Sequence, residues 1–304
     1  MIERFNFYDI YGYLLPGSVL VGLLWLPFGI IQQAWPAPEL ATTVLVLGFC
    51  YVIGHVLQTI ATTAVPSKIK DKRGNLRAPS DLILDVDDTS FAVNIKSSLA
   101  ACVAAEFRVD LQIDKTSTGS ESDEISRNRA DAFFLCRGLL IREKIATYVE
   151  QFEGLYAMFR GLFLAFLIGA FYLTGWASST CTLYCFRWAA SALTGIGGIG
   201  VLISGLVAVN ASKKAKKALA DRWLLGFLLA AVLGFGMCLG ATRSATGDYL
   251  QLFWIAVLVT SVASLRCYSG YRTFAMLFAQ TVWRDFLSFK SKPEDTSKKN
   301  YNPE

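Results

Sequence analysis

The sequence predicts an all-α membrane protein of six transmembrane helices. Both termini are cytoplasmic, and a small, mostly helical cytosolic domain lies between the second and third helices. Three observations predict this. Six stretches (10–38, 40–67, 161–186, 188–212, 223–242 and 249–265) run for 17 to 29 residues without Asp, Glu, Lys or Arg. A helix rising ~1.5 Å per residue needs about 20 apolar residues to cross a hydrocarbon core of about 30 Å. Basic residues crowd into every second gap: none in 34–39, thirteen in 67–157, none in 178–186, five in 210–222, Arg243 alone in the next, and seven from Arg266 onward. Lys and Arg are retained on the cytoplasmic side, so six spans satisfy every loop, and one span more or fewer would break the alternation. Finally, 54% hydrophobic and only 17% charged residues is lean in charge for a soluble chain of 304 residues.

In chain order, Met1-Ile2-Glu3-Arg4 leads into an apolar stretch too long for a signal-peptide core, so no secretory signal is expected. Phe5, Phe7, Tyr8, Tyr11 and Tyr13 form an interfacial segment, because aromatic rings favour the headgroup level. Pro16-Gly17 and Pro27 predict that the first span is kinked or begins near Pro16. Residues 1–66 therefore hold the interfacial segment and helices 1 and 2. Residues 67–157 form the cytosolic domain, with 13 basic and 15 acidic side chains. Within it Ser120 and Asp123 have capping-box spacing. Ile125, Phe133, Cys136, Leu140, Ile145, Tyr148, Phe152, Leu155 and Phe159 then recur at mostly three- to four-residue steps. That periodicity predicts one long helix running into the third span, with Gly138 and Gly154 as its weak points.

Residues 158–266 hold helices 3–6. Residues 267–289 carry Phe274, Phe278, Val282, Phe286 and Phe289 at helical spacing, either as an extension of the sixth span or as an amphipathic helix on the membrane surface. The charged tail 290–304, with two prolines, is expected to be disordered. The basic residues Lys213, Lys214, Lys216, Lys217 and Arg222 are placed at the membrane surface against anionic lipid headgroups. With charge distributed this way, the net +5 does not point to nucleic acid.

Several motifs carry chemistry elsewhere and are weighed here by context. Gly195, Gly197, Gly198 and Gly200 match G-x-G-x-x-G, but the fingerprint needs a preceding strand and a following acidic residue. Inside an apolar span, Gly195, Gly197, Gly200 with Ser204, and Gly236 with Gly240 are read instead as surfaces for close helix packing. Asp85-Val-Asp87-Asp88-Thr89 looks like the first motif of haloacid-dehalogenase-type phosphatases, in which one carboxylate attacks phosphate and the next transfers a proton. That fold needs a full doubly wound sheet, a downstream lysine and a further acidic pair, but only about seventy residues remain before the membrane and they hold no Gly-Asp-x-x-x-Asp, so catalytic residues are expected to be none. His55, the sole histidine, lies mid-span with Gln58 three residues on, and both are expected on one inward face as intramembrane polar candidates. Cys181 and Cys185 could form a disulfide in an oxidising outer loop. One histidine and scattered cysteines give no metal-ligand set, and no cofactor is expected.

Phe7-Tyr8-Asp9, Tyr13 with Pro16-Gly17, Gly54-His55 with Gln58, Tyr271-Arg272, and Trp283 through Leu287 together resemble an uncharacterised group of bacterial multi-pass inner-membrane proteins. The resemblance implies the bacterial inner membrane as location and no particular activity. The layout is shared with membrane effectors of anti-phage systems. The expected function is a non-enzymatic membrane effector or partner-binding component whose domain 67–157 receives a signal, with self-association or a protein partner there, permeabilising the membrane in defence. The alternatives are an ion channel or small-solute transporter using His55 and Gln58, and a membrane-tethered phosphatase using Asp85 and Asp87.

Overall fold

The computed structural model describes residues 8–35, 39–70, 76–85, 87–113, 121–179, 226, 229–230, 232–233 and 248–291. A π-helical turn, Asp9–Leu14, runs into α1, Leu15–Gln32, and α2 is Leu40–Ala64. A two-stranded antiparallel ribbon follows, β1 (Ile69–Lys70) and β2 (Leu76–Arg77), with Ile69 opposite Arg77. Then come α3 (Pro79–Leu82), α4 (Val93–Phe107), α5 (Glu121–Arg142), α6 (Thr147–Ser179) and α7 (Asp248–Ser291). The chain forms two compact units, Met1–Pro66 with Gly154–Arg272, and Ser67–Glu153 with Thr273–Glu304.

Four described helical segments are long and apolar enough to cross a membrane: Asp9–Gln32, Leu40–Ala64, Tyr148–Ser178 and Leu252–Ser291. The expected fourth span and nearly all of the fifth lie outside the described residues. So do Gly195, Gly197, Gly200, Ser204, Gly236, Gly240, the basic residues 213–217 and Arg222, and Cys181 with Cys185.

In the first unit α6 is the central helix: 61% of its most apolar stretch is buried, against 17% for α2. The outward faces are apolar too. Val44, Leu45, Phe49, Val52 and Val56 on α2, and Leu252, Ile255, Leu258, Val262 and Leu265 on α7, are exposed. Exposed apolar surface of this extent suits lipid rather than water. Helix α1 meets α2 backbone to backbone. A Cβ on Gly17 would come within 1.9 Å of the Cys50 carbonyl oxygen, and one on Gly54 within 2.0 Å of the Tyr13 carbonyl oxygen. The π turn runs directly into the α-helix one residue before Pro16, and the Gly12 carbonyl, four residues before this proline that has no N–H, accepts from Gln58 instead.

The second unit wraps α3, α4, α5 and the end of α7 around one core that includes Leu84, Leu99, Val103, Phe133, Cys136, Leu140, Val282, Trp283 and Phe286. The Trp283 indole N–H donates to the Ser80 carbonyl (3.1 Å), and its ring meets Phe133 edge-on at 5.4 Å. Residues 273–289 are thus the continuation of the last apolar helix, with their aromatic face in this core. Arg129 lies fully inside. It pairs with Asp81 at 2.7 Å and donates to the carbonyls of Leu111 and Gln112, so each nitrogen of its fork has a partner. Ser126 donates to the other Asp81 oxygen at 3.2 Å.

The expected uninterrupted helix from residue 123 into the membrane is corrected. It stops at Arg142 and restarts at Thr147, not at Gly138 or Gly154. The stop is a Schellman motif: the Ile145 N–H donates to the Leu140 carbonyl, the Lys144 N–H donates to the Ile141 carbonyl, and Lys144 is left-handed at φ 58°. The break re-phases the apolar pattern. Ile145 and Tyr148, expected on the buried face, are 40% and 65% exposed, while Ala146 and Val149 are buried instead.

Candidate functional site

The expected pair His55 and Gln58 separates. Gln58 is buried, but His55 is exposed, so the shared inward face is corrected for the histidine. The imidazole stacks on Tyr13 (ring centres 3.7 Å apart, planes at 19°) and meets Tyr51 edge-on at 4.7 Å. Its helix turns at Gly54 so closely against the Tyr13 backbone that the two rings are brought face to face. This is a clamp between the π turn and α2. Three residues along a helix is 300°, which leaves room for one side chain to point in while the other lies against a neighbour's flank.

Gln58 is the centre of a buried polar node. Its amide N–H₂ donates to the carbonyls of Gly12 (2.9 Å) and Ala157 (2.5 Å). Its amide oxygen accepts from Arg160 Nε at 3.3 Å. One side chain therefore ties the π turn, α2 and α6 together with every donor engaged. Gly161 makes room for it: a Cβ there would lie 2.9 Å from Pro16 and 3.3 Å from the Gln58 nitrogen. Arg160 lies over the Tyr156 ring at 5.2 Å, and its Nη1 contacts the Tyr156 hydroxyl at 3.4 Å. Tyr156 stacks on Tyr271 at 5.0 Å, and the Tyr271 hydroxyl donates to the Pro66 carbonyl at 3.0 Å. Beside the node, the Ser264 hydroxyl joins α7 to the Phe163 carbonyl on α6 at 3.1 Å.

Sequence reasoning found Gln58 and missed Arg160, which stands one residue outside a charge-free stretch and reads as an ordinary interfacial cation. It also missed Gly17, Gly54 and Gly161, which carry the close helix contacts. Neither Gly17 nor Gly54 has a glycine four residues away, so no G-x-x-x-G pattern marks them.

Asp85, Asp87 and Asp88 sit in the turn after α3, not at the end of a strand. The Asp85 carboxylate pairs with Arg77 at 3.4 Å, and Asp88 accepts from the Ser90 N–H at 2.8 Å. The buried Lys96 ammonium donates to the Asp85 carbonyl (2.5 Å) and the Asp88 carbonyl (2.7 Å), clasping the turn from inside. Burial pushes Lys96 below the usual lysine range, against the opposing pull of the Asp88 and Asp85 charges. The lysine thus bonds main-chain oxygens, and the motif lacks the strand-end carboxylate pair that phosphoryl transfer would need. Among the described residues, no three His, Cys, Asp or Glu side chains converge to hold a metal ion.

The second unit also carries an exposed apolar face. Phe134, Leu135 and Ile141 on α5, with Ile145 beyond its end, are exposed around Gly138. A Cβ on Gly138 would meet nothing within 4 Å. Glycine inside an exposed helix costs roughly 1 kcal/mol relative to alanine, and no contact among the described residues offsets that cost at Gly138. No protein-family model matches the chain, and no curated protein and no solved structure matches it either.

Proposed function

We propose that this is a non-enzymatic, six-span component of the bacterial inner membrane, with both termini cytoplasmic, that assembles through its cytosolic unit and acts on the membrane as an effector. The observation that carries the assembly is the apolar face centred on Gly138. A second copy of the same face fits it best. Glycine lets two helix backbones approach closely, and in an antiparallel crossing at Gly138 the acidic Asp131 of one copy falls within a turn of Arg142 and Lys144 of the other. Arg142 is already paired with the exposed Glu143 at 3.1 Å, so the cross-copy attraction proposed for Asp131 is to Lys144. A two-fold contact of this kind uses one patch twice. The layout it shares with anti-phage membrane effectors makes permeabilisation of the host membrane the expected output.

The transporter alternative loses its polar pair, since the Gln58 amide is consumed by backbone carbonyls and His55 is stacked on tyrosine. The test is oligomeric state. Full-length protein in detergent should be at least dimeric by light scattering, and Phe134→Asp or Ile141→Asp should weaken association at least tenfold. Both side chains are exposed, so neither variant should fold less stably. Induction of the wild type in cells should depolarise the membrane, and these variants should not. A monomeric wild type would reassign the face to a different protein.

A further inference from the structure

Four charged residues are buried among those described: Asp81, Lys96, Arg129 and Arg160. Arg129 and Asp81 neutralise each other, and Lys96 rests on two main-chain carbonyls. Arg160, only 9% exposed, has no carboxylate beside it among the described residues. Its polar contacts are the Gln58 amide oxygen at 3.3 Å and the Tyr156 hydroxyl at 3.4 Å, both neutral and both long. Nε and Nη1 make those two contacts, and Nη2 makes no hydrogen bond among the described residues. A buried cation is costly unless an anion and good hydrogen bonds complete it.

An arginine at the end of a span ordinarily extends its head to water. Arg160 instead folds over Tyr156, which fixes the guanidinium plane. It stands immediately before the charge-free stretch 161–186, with Tyr156, Tyr271 and Tyr268 stacked in series beside it. A planar fork whose Nη2 is not consumed within the described residues matches the oxygens of a phosphate group.

We propose that Arg160 is the anchor of a binding site for the phosphate of an anionic phospholipid in the cytosolic leaflet. The lipid supplies the counter-charge that the chain omits, and the Gln58 bond and the Tyr156 ring hold the guanidinium in place to receive it. A headgroup with net negative charge is preferred over a choline headgroup, whose own cation competes for the same phosphate.

The experiment uses full-length protein in nanodiscs of dioleoylphosphatidylglycerol or dioleoylphosphatidylcholine, and in detergent with or without millimolar inorganic phosphate. The melting temperature should be several degrees higher in phosphatidylglycerol than in phosphatidylcholine. That difference should vanish in Arg160→Gln, shrink in Arg160→Lys, and persist when Lys213, Lys214, Lys216 and Lys217 are all changed to Gln, which separates the site from general surface attraction. A full difference retained in Arg160→Gln overturns the proposal. Equal stabilisation by inorganic phosphate overturns the lipid assignment in favour of a soluble anion. If Arg160→Gln does not accumulate, native mass spectrometry decides: phosphatidylglycerol retained on the wild type and reduced on Arg160→Lys supports the site, and equal retention on both refutes it.

Discussion

Gly17 sets the contact of α1 with α2 and Gly54 that of the π turn with α2, because at each the missing Cβ is replaced by a neighbour's carbonyl oxygen at about half the normal separation. Backbone cannot swing aside as a side chain can, so Gly17→Ala and Gly54→Ala should each cost about 1–3 kcal/mol, read as a lower melting temperature in detergent. Gly138→Ala should behave oppositely. Nothing opposes its Cβ, so it should stabilise the isolated protomer by up to about 1 kcal/mol while weakening association. At the polar node, Gln58→Leu removes the donor for Gly12 and Ala157 and the acceptor for Arg160, and should cost about 1–3 kcal/mol for the polar groups left unpaired. His55→Gln removes the ring stacked on Tyr13 and should cost about 0.5–1.5 kcal/mol, read as a lower melting temperature. These roles were only partly legible. Gln58 announces itself as a polar side chain inside an apolar run, whereas Gly17 and Gly54 are paired with residues on another helix, and sequence spacing along one helix does not show that pairing.

Among the elements, α5 and α6 show where periodicity misleads. A 3.6-residue pattern carries on through Leu140, Ile145 and Tyr148, and no glycine or proline marks an end there. The chain nevertheless stops on Lys144 in the left-handed region, a conformation that costs a residue with a Cβ roughly 1–2 kcal/mol. Lys144→Gly should therefore raise stability by about 0.5–1 kcal/mol, measured by thermal unfolding. Cys136 tests the packing of α5. Burial pushes its thiol from 9.0 up to about 12. Between those values the unfolded chain has lost a proton that the folded chain keeps, so this group's contribution to stability is complete below pH 9 and is lost as pH rises towards 12. Alkylation of Cys136 at pH 8 should be negligible in the native protein and rapid after denaturation. The Arg129–Asp81 pair tests the same unit from its charged side. Asp81→Asn leaves a buried guanidinium uncompensated and should cost about 3–5 kcal/mol.

On the scale of the whole molecule, one structural fact constrains the topology independently of charge. Residues from α3, α4 and α5 share a single core with Val282, Trp283 and Phe286 near the end of α7. Groups in one core lie on one side of a membrane, so the chain must cross an even number of times between residues 154 and 272. If α6 and α7 each cross once, the prediction for the segment between them is two passages or none. The charge-free stretches 188–212 and 223–242 are each long enough for one passage, and the positive-inside tendency predicts the five basic residues between them on the same side as the core. Two passages satisfy parity, length and charge together. None would leave two long apolar stretches in water. The prediction is that single cysteines at Trp35 and at positions 182 and 245, placed in a variant otherwise free of cysteine, react with a membrane-impermeant maleimide added to intact cells. Cysteines at Arg108, Arg127 and 215 should react only after permeabilisation. External labelling at Arg108 or Arg127 would put the shared core on the wrong side, and labelling at 215 without permeabilisation would remove the two intervening passages and leave four spans.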